Sequence, residues 1–476
     1  MFKKVLKGVV WGLLGLVLLA LAFYTVEDVR GKRTWEQHKR ECAARGENIG
    51  DWLSLIPPPI PDEDNVAMTP IFQDLLANPR RKSLRLPSIR FPTDTNTVQG
   101  AVWQTGVYQG LDPYRVALSN DNLLAALSVY DDDLREVEEA LKRPLFRHAG
   151  WDNASVTITN PVPYDAPLPH VNLSSLIFIY NVRAMARYEA GQYDKMLEDI
   201  QTGFRLSELD KENPLHISVT LRGFMGMSCA PLWLGLNGHA WNAQQLTTLQ
   251  AMLEEINLAE HLVLANRAER SFSTFLLLLP RRSIPNYYWV TYSLPKIVWY
   301  LTPRGWFYQN AVQYAKFLER QERIIHTDDR WFDIAQLQHI IETPKNHPYF
   351  FVARECGLST ANWMINHLAL AQATRHQAVI ACAIERYRLE NMRIPERLDD
   401  LVPQFLAKVP CDPCDGQPMR YKPEGEGGYI LYSVSINGVD DGGQLGISER
   451  YKNTVDREGK SGDWVWRSSP PAAGND

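Results

Sequence analysis

The chain lacks the sequence motifs of the common enzyme classes. It contains no glycine-rich phosphate loop, no dinucleotide-binding fingerprint, no Gly-x-Ser-x-Gly nucleophile elbow and no His-Glu-x-x-His zinc pair. It also lacks a basic stripe interleaved with aromatic residues, and its formal net charge is −5. Nucleic acid is therefore not an expected partner. These absences favour a structural or protein-interaction role over catalysis.

Long apolar runs are scarce, and the one that could cross a membrane lies at the N-terminus. It extends from Gly8 to Tyr24, and Val5 and Leu6 bring it to about the 20 residues that a membrane-spanning helix needs. Lysines at positions 3, 4 and 7 precede it, and the positive-inside rule keeps such residues cytoplasmic. We predict a single-pass anchor over residues 1–24 in the cell membrane, with membrane lipid as its partner and the bulk of the chain extracytoplasmic.

The alternative to an anchor is a cleaved signal peptide. Ala20-Leu21-Ala22 has the small-x-small form of a cleavage site. The apolar run exceeds the usual signal core, which favours the uncleaved anchor. Both interpretations export the rest of the chain.

Cysteine is also scarce: the six are Cys42, Cys229, Cys356, Cys382, Cys411 and Cys414. Export would place them outside a reducing cytosol. Cys411 and Cys414 form a C-x-x-C in a proline-containing loop, without the second pair that a zinc site requires. This pattern predicts a local disulfide or simple thiols. We expect Cys229, Cys356 and Cys382, which lie in apolar helical context, to behave as small buried hydrophobes.

The sequence predicts a mainly α fold. A charged stalk and a Pro-rich extended linker occupy residues 25–110, and a domain of stacked helical hairpins follows over residues 111–357. Its first helix spans 121–142 with a stripe of apolar residues: Leu123, Leu127, Tyr130, Leu134, Val137 and Leu141. Residues 173–209 predict two antiparallel helices joined at Gly191-Gln192, and with Tyr193 this run resembles a tetratricopeptide hairpin.

Aromatic residues concentrate in residues 271–309, where prolines keep each apolar piece too short to span a bilayer. One interpretation is an interfacial segment that rests on the lipid surface beside the anchor. The other is an aromatic clamp in the core under the helical domain. The sequence leaves both open.

The last part of the chain, residues 358–466, combines a long helix with a small α+β module. The helix ends at Asn391, and then come Ile394-Pro395, a Leu-rich turn, Asp412-Pro413-Cys414-Asp415-Gly416-Gln417-Pro418, the strand YILYSVS, the loop NGVDDGG and Asp463-Trp464. This order resembles the globular domain of the type II secretion major pseudopilins. As a whole, the chain resembles the bacterial single-pass helical membrane proteins that carry such a C-terminal module. Residues 467–476 predict a disordered tail.

The resemblance implies a calcium site in the acidic loop after the strand. Calcium is the only cofactor that it suggests, with Asp440, Asp441 and Asp463 as ligands and Ser433 contributing an oxygen. The alternative is a loop without metal, closed by glycine turns and Asx hydrogen bonds.

For function, the leading hypothesis is a membrane-anchored extracytoplasmic structural or protein-interaction protein whose partner is another envelope protein. A second hypothesis is an envelope enzyme with a site assembled from dispersed residues around His339 and Glu342, which lie one helical turn apart. A third, an accessory of a secretion or pilus system, follows only from the resemblance of the C-terminal module.

Overall fold

The protein is mainly helical, with two small antiparallel sheets. A computed structural model describes residues 2–49, 51, 58–77, 120–147, 169–209, 211, 229–278, 301–342, 349, 358–447, 456 and 459–468. The helices described are α1 (Phe2–Ala44), α2 (Pro70–Ala77), α3 (Asn120–Leu127), α4 (Asp131–Ala140), α5 (Pro169–Glu189), α6 (Tyr193–Glu208), α7 (Cys229–Asn237), α8 (Ala243–Glu255), α9 (Leu258–Leu278), α10 (Arg304–Glu322), α11 (Ile334–Glu342) and α12 (Leu358–Asn391). The strands are β1 (Ile325–His326), β2 (Trp331–Phe332), β3 (Arg420–Glu424), β4 (Gly428–Ser433) and β5 (Trp464–Arg467).

Helix α1 is one continuous helix of 43 residues, and it contains both the predicted anchor and the predicted stalk. The apolar part is exposed almost throughout from Val5 to Phe23. Glu27 is the first buried residue of the helix, and further residues on the same side are buried after it. The exposed apolar part and the packed part therefore belong to one uninterrupted helix.

The packed half of α1 lies against α9 and α10 in a small core of its own. We call this cluster the stalk core; it consists of Trp35, Cys42, Ile49, Leu277, Phe307, Ala311, Val312 and Ala315. Polar contacts accompany it: Glu27 Oε2 accepts from Trp306 Nε1 at 2.9 Å, and Thr34 Oγ1 accepts from Gln309 Nε2 at 3.1 Å. Because later residues of α1 meet later residues of α10, the two helices run in the same direction.

Two glycines let α1 and α10 touch through their backbones. A Cβ added at Gly31 would overlap the carbonyl oxygen of Gly305, and one added at Gly305 would overlap the carbonyl oxygen of Glu27. The amide of Gly305, in the first turn of α10, donates to Asp28 Oδ1 at 2.7 Å. This carboxylate satisfies an amide that the helix itself leaves without a partner. The crossing is therefore specified by both shape and charge.

Helix α12 lies at the centre of the main body. Its bounds match the predicted helix, and every side chain from Ala371 to Glu385 is buried. Burial on all sides requires neighbours on all sides, and α7, α8, α9 and the C-terminal sheet supply them. Several of the buried side chains are polar, which requires hydrogen-bonding partners inside the protein.

The predicted hairpin over residues 173–209 is present as α5 and α6. Gly191, with φ of +69°, turns the chain between them. Asp199 of α6 is 1% exposed and accepts from Arg183 Nε at 3.0 Å, and its other oxygen pairs with Arg187 at 2.8 Å. Tyr193, which the tetratricopeptide resemblance places between the helices, instead lies 38% exposed against the ring of Tyr188.

Some predicted elements differ in the structure. The predicted helix over 121–142 is interrupted by a 3-10 turn at Ser128–Tyr130, although the whole apolar stripe is buried as expected. The extended linker expected within residues 25–110 contains α2 and an adjacent 3-10 turn. Their apolar side chains join the main core: Val66, Ala67, Ile71, Phe72 and Leu75. Part of the stretch that was predicted to be an extended spacer is therefore a packed element of the main core.

The C-terminal module is a three-stranded antiparallel sheet in the order β3-β4-β5, preceded by a 3-10 turn at Leu398–Leu401. Tyr429, Leu431, Trp464 and Trp466 belong to the same core as α12. The module is thus fused to the helical body through a common core. The predicted helix, turn and small hairpin are all present, whereas the pseudopilin likeness stays a prediction.

Other sequence interpretations concern residues outside the described part. These are Cys356, the linker over 78–110, the aromatic residues at 279–300 and the tail from 469 to 476.

The crossing of α1 and α10 can be tested by adding single methyl groups. We expect Gly31→Ala or Gly305→Ala to separate the two helices and to cost about 1–3 kcal/mol, as overpacking at a close contact does. The measurement is the thermal midpoint of the detergent-solubilised full-length protein. Gly12→Ala is the matched control, because it lies on the same helix with nothing within 4 Å of the added methyl group. A midpoint unchanged by both test substitutions would contradict the backbone contact.

Candidate functional site

The predicted calcium loop is organised around a carboxylate that the resemblance did not select. Asp412, in the C-x-x-C loop, is fully buried. Its Oδ1 accepts from Ser433 Oγ at 2.7 Å and from the Cys414 amide at 2.9 Å, and its Oδ2 accepts from the Val434 amide at 2.9 Å. Ser433, one of the predicted ligands, thus donates its hydroxyl to Asp412 at the end of β4.

Arg420 provides a positive charge at the centre of the acidic residues. Its Nη1 donates to Asp412 Oδ2 at 2.7 Å, and its Nη2 donates to Asp415 Oδ2 at 2.6 Å. Its Nε lies 3.6 Å from Asp440 Oδ2. Lys422, on the same strand, donates to the carbonyl of Gly442 at 2.7 Å. Two protein cations therefore neutralise part of the negative charge that a calcium ion would use.

The remaining predicted ligands close the loop through backbone amides. Asp463 is fully buried, and its Oδ2 accepts from the Gly443 amide at 2.6 Å while its Oδ1 accepts from the Asp441 amide at 3.4 Å. Asp440 Oδ1 accepts from the Gly442 amide at 2.9 Å. Burial, partly offset by these amide hydrogen bonds, raises the pKa of Asp463. The structure thus brings Asp440, Asp441 and Asp463 to one loop, and calcium binding there stays a prediction.

The other sequence candidates, His339 and Glu342, lie at the surface of α11. His339 and Glu342 both lie on the exposed side of α11, while Ile340 and Ile341 between them are buried. Across the described residues, one group of three or more His, Cys, Asp or Glu side chains has its ligand atoms within 4.8 Å of one another, and it consists of His38, Cys42 and Glu319. Sequence reasoning did not select these residues. The four-residue spacing of His38 and Cys42, which places both side chains on one face of a helix, was the only sequence feature that could have indicated this group.

The C-x-x-C pair consists of two thiols without a disulfide. Cys411 Sγ donates to the carbonyl of Asp329 at 2.7 Å, and Cys414 is buried. Burial raises the pKa of Cys411 to about 11 and also raises the pKa of Cys414. A reactive or redox thiol needs a lowered pKa, so the pair is a structural one. Cys229 and Cys382 are buried apolar residues, as predicted.

Two polar side chains of α12 hold this loop and sheet to the body. His376 is buried, and its Nδ1 lies 2.7 Å from the Cys411 carbonyl while its Nε2 lies 2.8 Å from Gln372 Nε2. With the Gln372 amide nitrogen as donor, Nε2 accepts and the Cys411 carbonyl accepts from Nδ1, which corresponds to a neutral ring with its proton on Nδ1. Gln377 Nε2 donates to the carbonyl of Trp464 at 2.8 Å. The module is therefore oriented by buried hydrogen bonds as well as by apolar packing.

Comparison with protein-family models, curated proteins and solved structures finds no match for this chain.

The calcium prediction can be tested by melting. If the loop binds calcium, calcium should raise the thermal midpoint of the full-length protein, and Asp441→Asn should remove that increase because the negative charge of a ligand carboxylate is lost. Asp132→Asn is the matched control, since Asp132 is a highly exposed acidic residue of α4. Equal midpoints with calcium and with chelator would show that the loop is closed by protein groups alone.

The buried His376 makes stability depend on pH. Burial lowers its pKa to about 4, below the ordinary 6.5. The folded state thus favours the neutral ring, and this contribution is complete above pH 6.5 and is lost as the pH falls towards 4. The loss amounts to about 3 kcal/mol at 1.36 kcal/mol per pH unit. We expect His376→Asn to be less sensitive to acid than the unmodified protein, measured as the difference in unfolding free energy between pH 7 and pH 4.5.

The control for this comparison is His339→Gln, because His339 is an exposed histidine of α11. It should retain the full loss of stability in acid. If His376→Asn lost as much stability as the control, the neutral buried ring would not be the source.

Proposed function

We propose that this chain is a membrane-anchored extracytoplasmic protein with a structural or protein-interaction role. Within the described residues, one helix is long and apolar enough to cross a membrane, and its apolar window is entirely unburied. A core helix of a soluble protein would bury such a surface. Exposed leucine and valine side chains over about 20 residues are the surface that a bilayer covers.

The observation that carries the proposal is the continuity of this helix with the stalk core. The helix does not end at the membrane boundary but continues to Ala44, with Trp35 and Cys42 buried against α9 and α10. The helical body is thereby held directly on the membrane helix by packing. Because the body packs on the continuation of the membrane helix, it is held at a fixed distance from the bilayer. A fixed distance is what a scaffold role needs.

Contacts just past the possible cleavage site support an anchor that is retained. The ring of Phe23 packs edge-on against Trp306 at 6.3 Å, and the Tyr24 hydroxyl donates to the carbonyl of Leu301. Phe23 and Tyr24 follow Ala22 directly, and they join the apolar helix to the first turn of α10 and to Leu301 before it. Cleavage there would place a charged new N-terminus among them.

The aromatic residues near this boundary support contact with the membrane surface. Trp306 packs against Tyr349 at 5.9 Å, and the guanidinium of Arg30 lies 5.5 Å over the Tyr349 ring. Tryptophan, tyrosine and arginine at the end of an apolar helix are typical of the headgroup region. Phe307, by contrast, is buried in the stalk core. The described part of the aromatic segment thus combines features of the interfacial and the clamp interpretations.

The C-terminal loops offer a surface for a protein partner. Val439 is 54% exposed and Ile447 is 51% exposed, on the loops beside the β3-β4-β5 sheet. Both lie in a module whose other large apolar residues are mostly buried in the common core. This surface supports docking of another envelope protein at these loops.

Site-specific labelling tests the proposed topology. A single cysteine introduced as Asp132→Cys should react with a membrane-impermeant maleimide on spheroplasts, because Asp132 is a highly exposed residue of the body. Lys3→Cys should react only after permeabilisation. The parent chain without an introduced cysteine is the control. Labelling of both positions from the same side would disprove the orientation.

A photo-crosslinker tests the interaction role in the same cells. Placed at Val439 it should give a discrete crosslinked species that the same group at Asp132 does not give. Absence of such a species from both Val439 and Ile447 would contradict docking through these loops.

A further inference from the structure

A cluster of metal-ligating side chains lies in the stalk, remote from the predicted calcium loop. His38 and Cys42 are four residues apart on α1, so they face the same side, and Glu319 faces them from α10. The Cys42 Sγ is 3.6 Å from His38 Nε2 and 4.0 Å from Glu319 Oε1, and His38 Nε2 is 3.8 Å from the same oxygen. The three ligand atoms form a nearly equilateral triangle.

The size of this triangle fits a tetrahedral metal ion. Zinc bonds of about 2.0–2.1 Å to nitrogen or oxygen and about 2.3 Å to sulfur place neighbouring ligand atoms about 3.4–3.6 Å apart. The observed separations exceed this by a few tenths of an ångström. Small side-chain rotations would close the gap, and water could occupy the fourth position.

Burial distinguishes the cluster from a set of surface acids. His38 is 2% exposed and Cys42 is fully buried. The Nδ1 of His38 has no hydrogen-bond partner among the described residues, and Glu41 Oε2 lies 3.9 Å from it. A carboxylate on the second nitrogen is the usual support of a metal-binding histidine. The same burial keeps substrates from Sγ, which argues against a nucleophilic Cys-His pair.

The surrounding charges are compatible with a divalent cation. Arg45 Nη2 donates to Glu319 Oε1 at 2.9 Å and to Cys42 Sγ at 3.4 Å, and Arg270 Nη1 lies 3.5 Å from the same oxygen of Glu319. Arg45 is 45% exposed, so it can withdraw into solvent, and Arg270 keeps its 2.7 Å contact with Glu47 Oε2. A Cys42 thiolate and the Glu319 carboxylate balance the two charges of the metal, and the thiol proton is released to solvent on binding.

We propose that His38, Cys42 and Glu319 bind a zinc-class divalent cation that fastens the stalk helix to α10. The ligands come from two helices that cross next to the membrane, so the ion would cross-link the anchor to the body. Neutral imidazole, thiolate and carboxylate form a mixed donor set that zinc and cobalt accept, whereas calcium prefers oxygen ligands. The proposal does not depend on the orientation of the anchor, because it concerns the folded protein in detergent.

Cobalt titration of the full-length protein, purified in detergent and stripped with chelator, provides the test. One Co²⁺ per chain should bind and give a thiolate-to-cobalt charge-transfer band in the near ultraviolet, and Zn²⁺ should displace it. Cys42→Ser should abolish the band. His38→Gln and Glu319→Gln should each weaken cobalt binding at least tenfold while the thiolate band remains at saturation.

The C-x-x-C provides the matched controls. Cys411→Ser and Cys414→Ser should leave the cobalt spectrum and stoichiometry unchanged. No charge-transfer band in the unmodified protein would overturn the proposal. A band that survives Cys42→Ser and disappears with the C-x-x-C variants would also overturn it. If Cys42→Ser does not fold, unchanged cobalt affinity in both His38→Gln and Glu319→Gln would still refute the site.

Discussion

The structure depends on the contact between α1 and α10. A long apolar helix can be joined to the rest of a protein by a flexible segment or by direct packing, and Gly31 and Gly305 allow direct packing here. Because neither residue has a side chain, the backbones touch and the stalk core forms on the same side. The Asp28 carboxylate at the start of α10 adds a polar contact that sets the register of the two helices. The apolar N-terminal helix and the body are thus joined by direct packing.

In the body, buried polar groups connect the central helix α12 to the C-terminal module. Helix α12 is buried on all sides from Ala371 to Glu385, so His376 and Gln377 need partners inside the protein. They find them in the backbone of the C-terminal module, at Cys411 and Trp464. Asp412 then organises that module from within, with Ser433 and Arg420 as partners. Each of these bonds would leave a buried group unsatisfied if the module sat differently, and this favours a single orientation.

These features agree with the proposed scaffold role. The carboxylates and thiols of the C-terminal module form hydrogen bonds to protein groups, and the thiols have raised pKa values. Within the described residues, His38, Cys42 and Glu319 form the one group of three metal-ligating side chains whose ligand atoms lie within 4.8 Å of one another. A metal ion there would strengthen the pairing of α1 with α10. The proposed site and the proposed function therefore act on one structural element.

The sequence alone determined the features that arise from local periodicity: an apolar run of spanning length, the bounds of α12, the hairpin turning at Gly191 and the small C-terminal sheet. These could be predicted because the helical or strand period and the turn residues lie within one short stretch. The tertiary structure determined which residues that are distant in the sequence contact one another. Glu319 lies 277 residues from Cys42, and no local pattern relates the two. Likewise, Arg420 enters the acidic loop because β3 pairs with β4, so a neighbour brought in by folding, and not the spacing of the aspartates, sets the charge of that site.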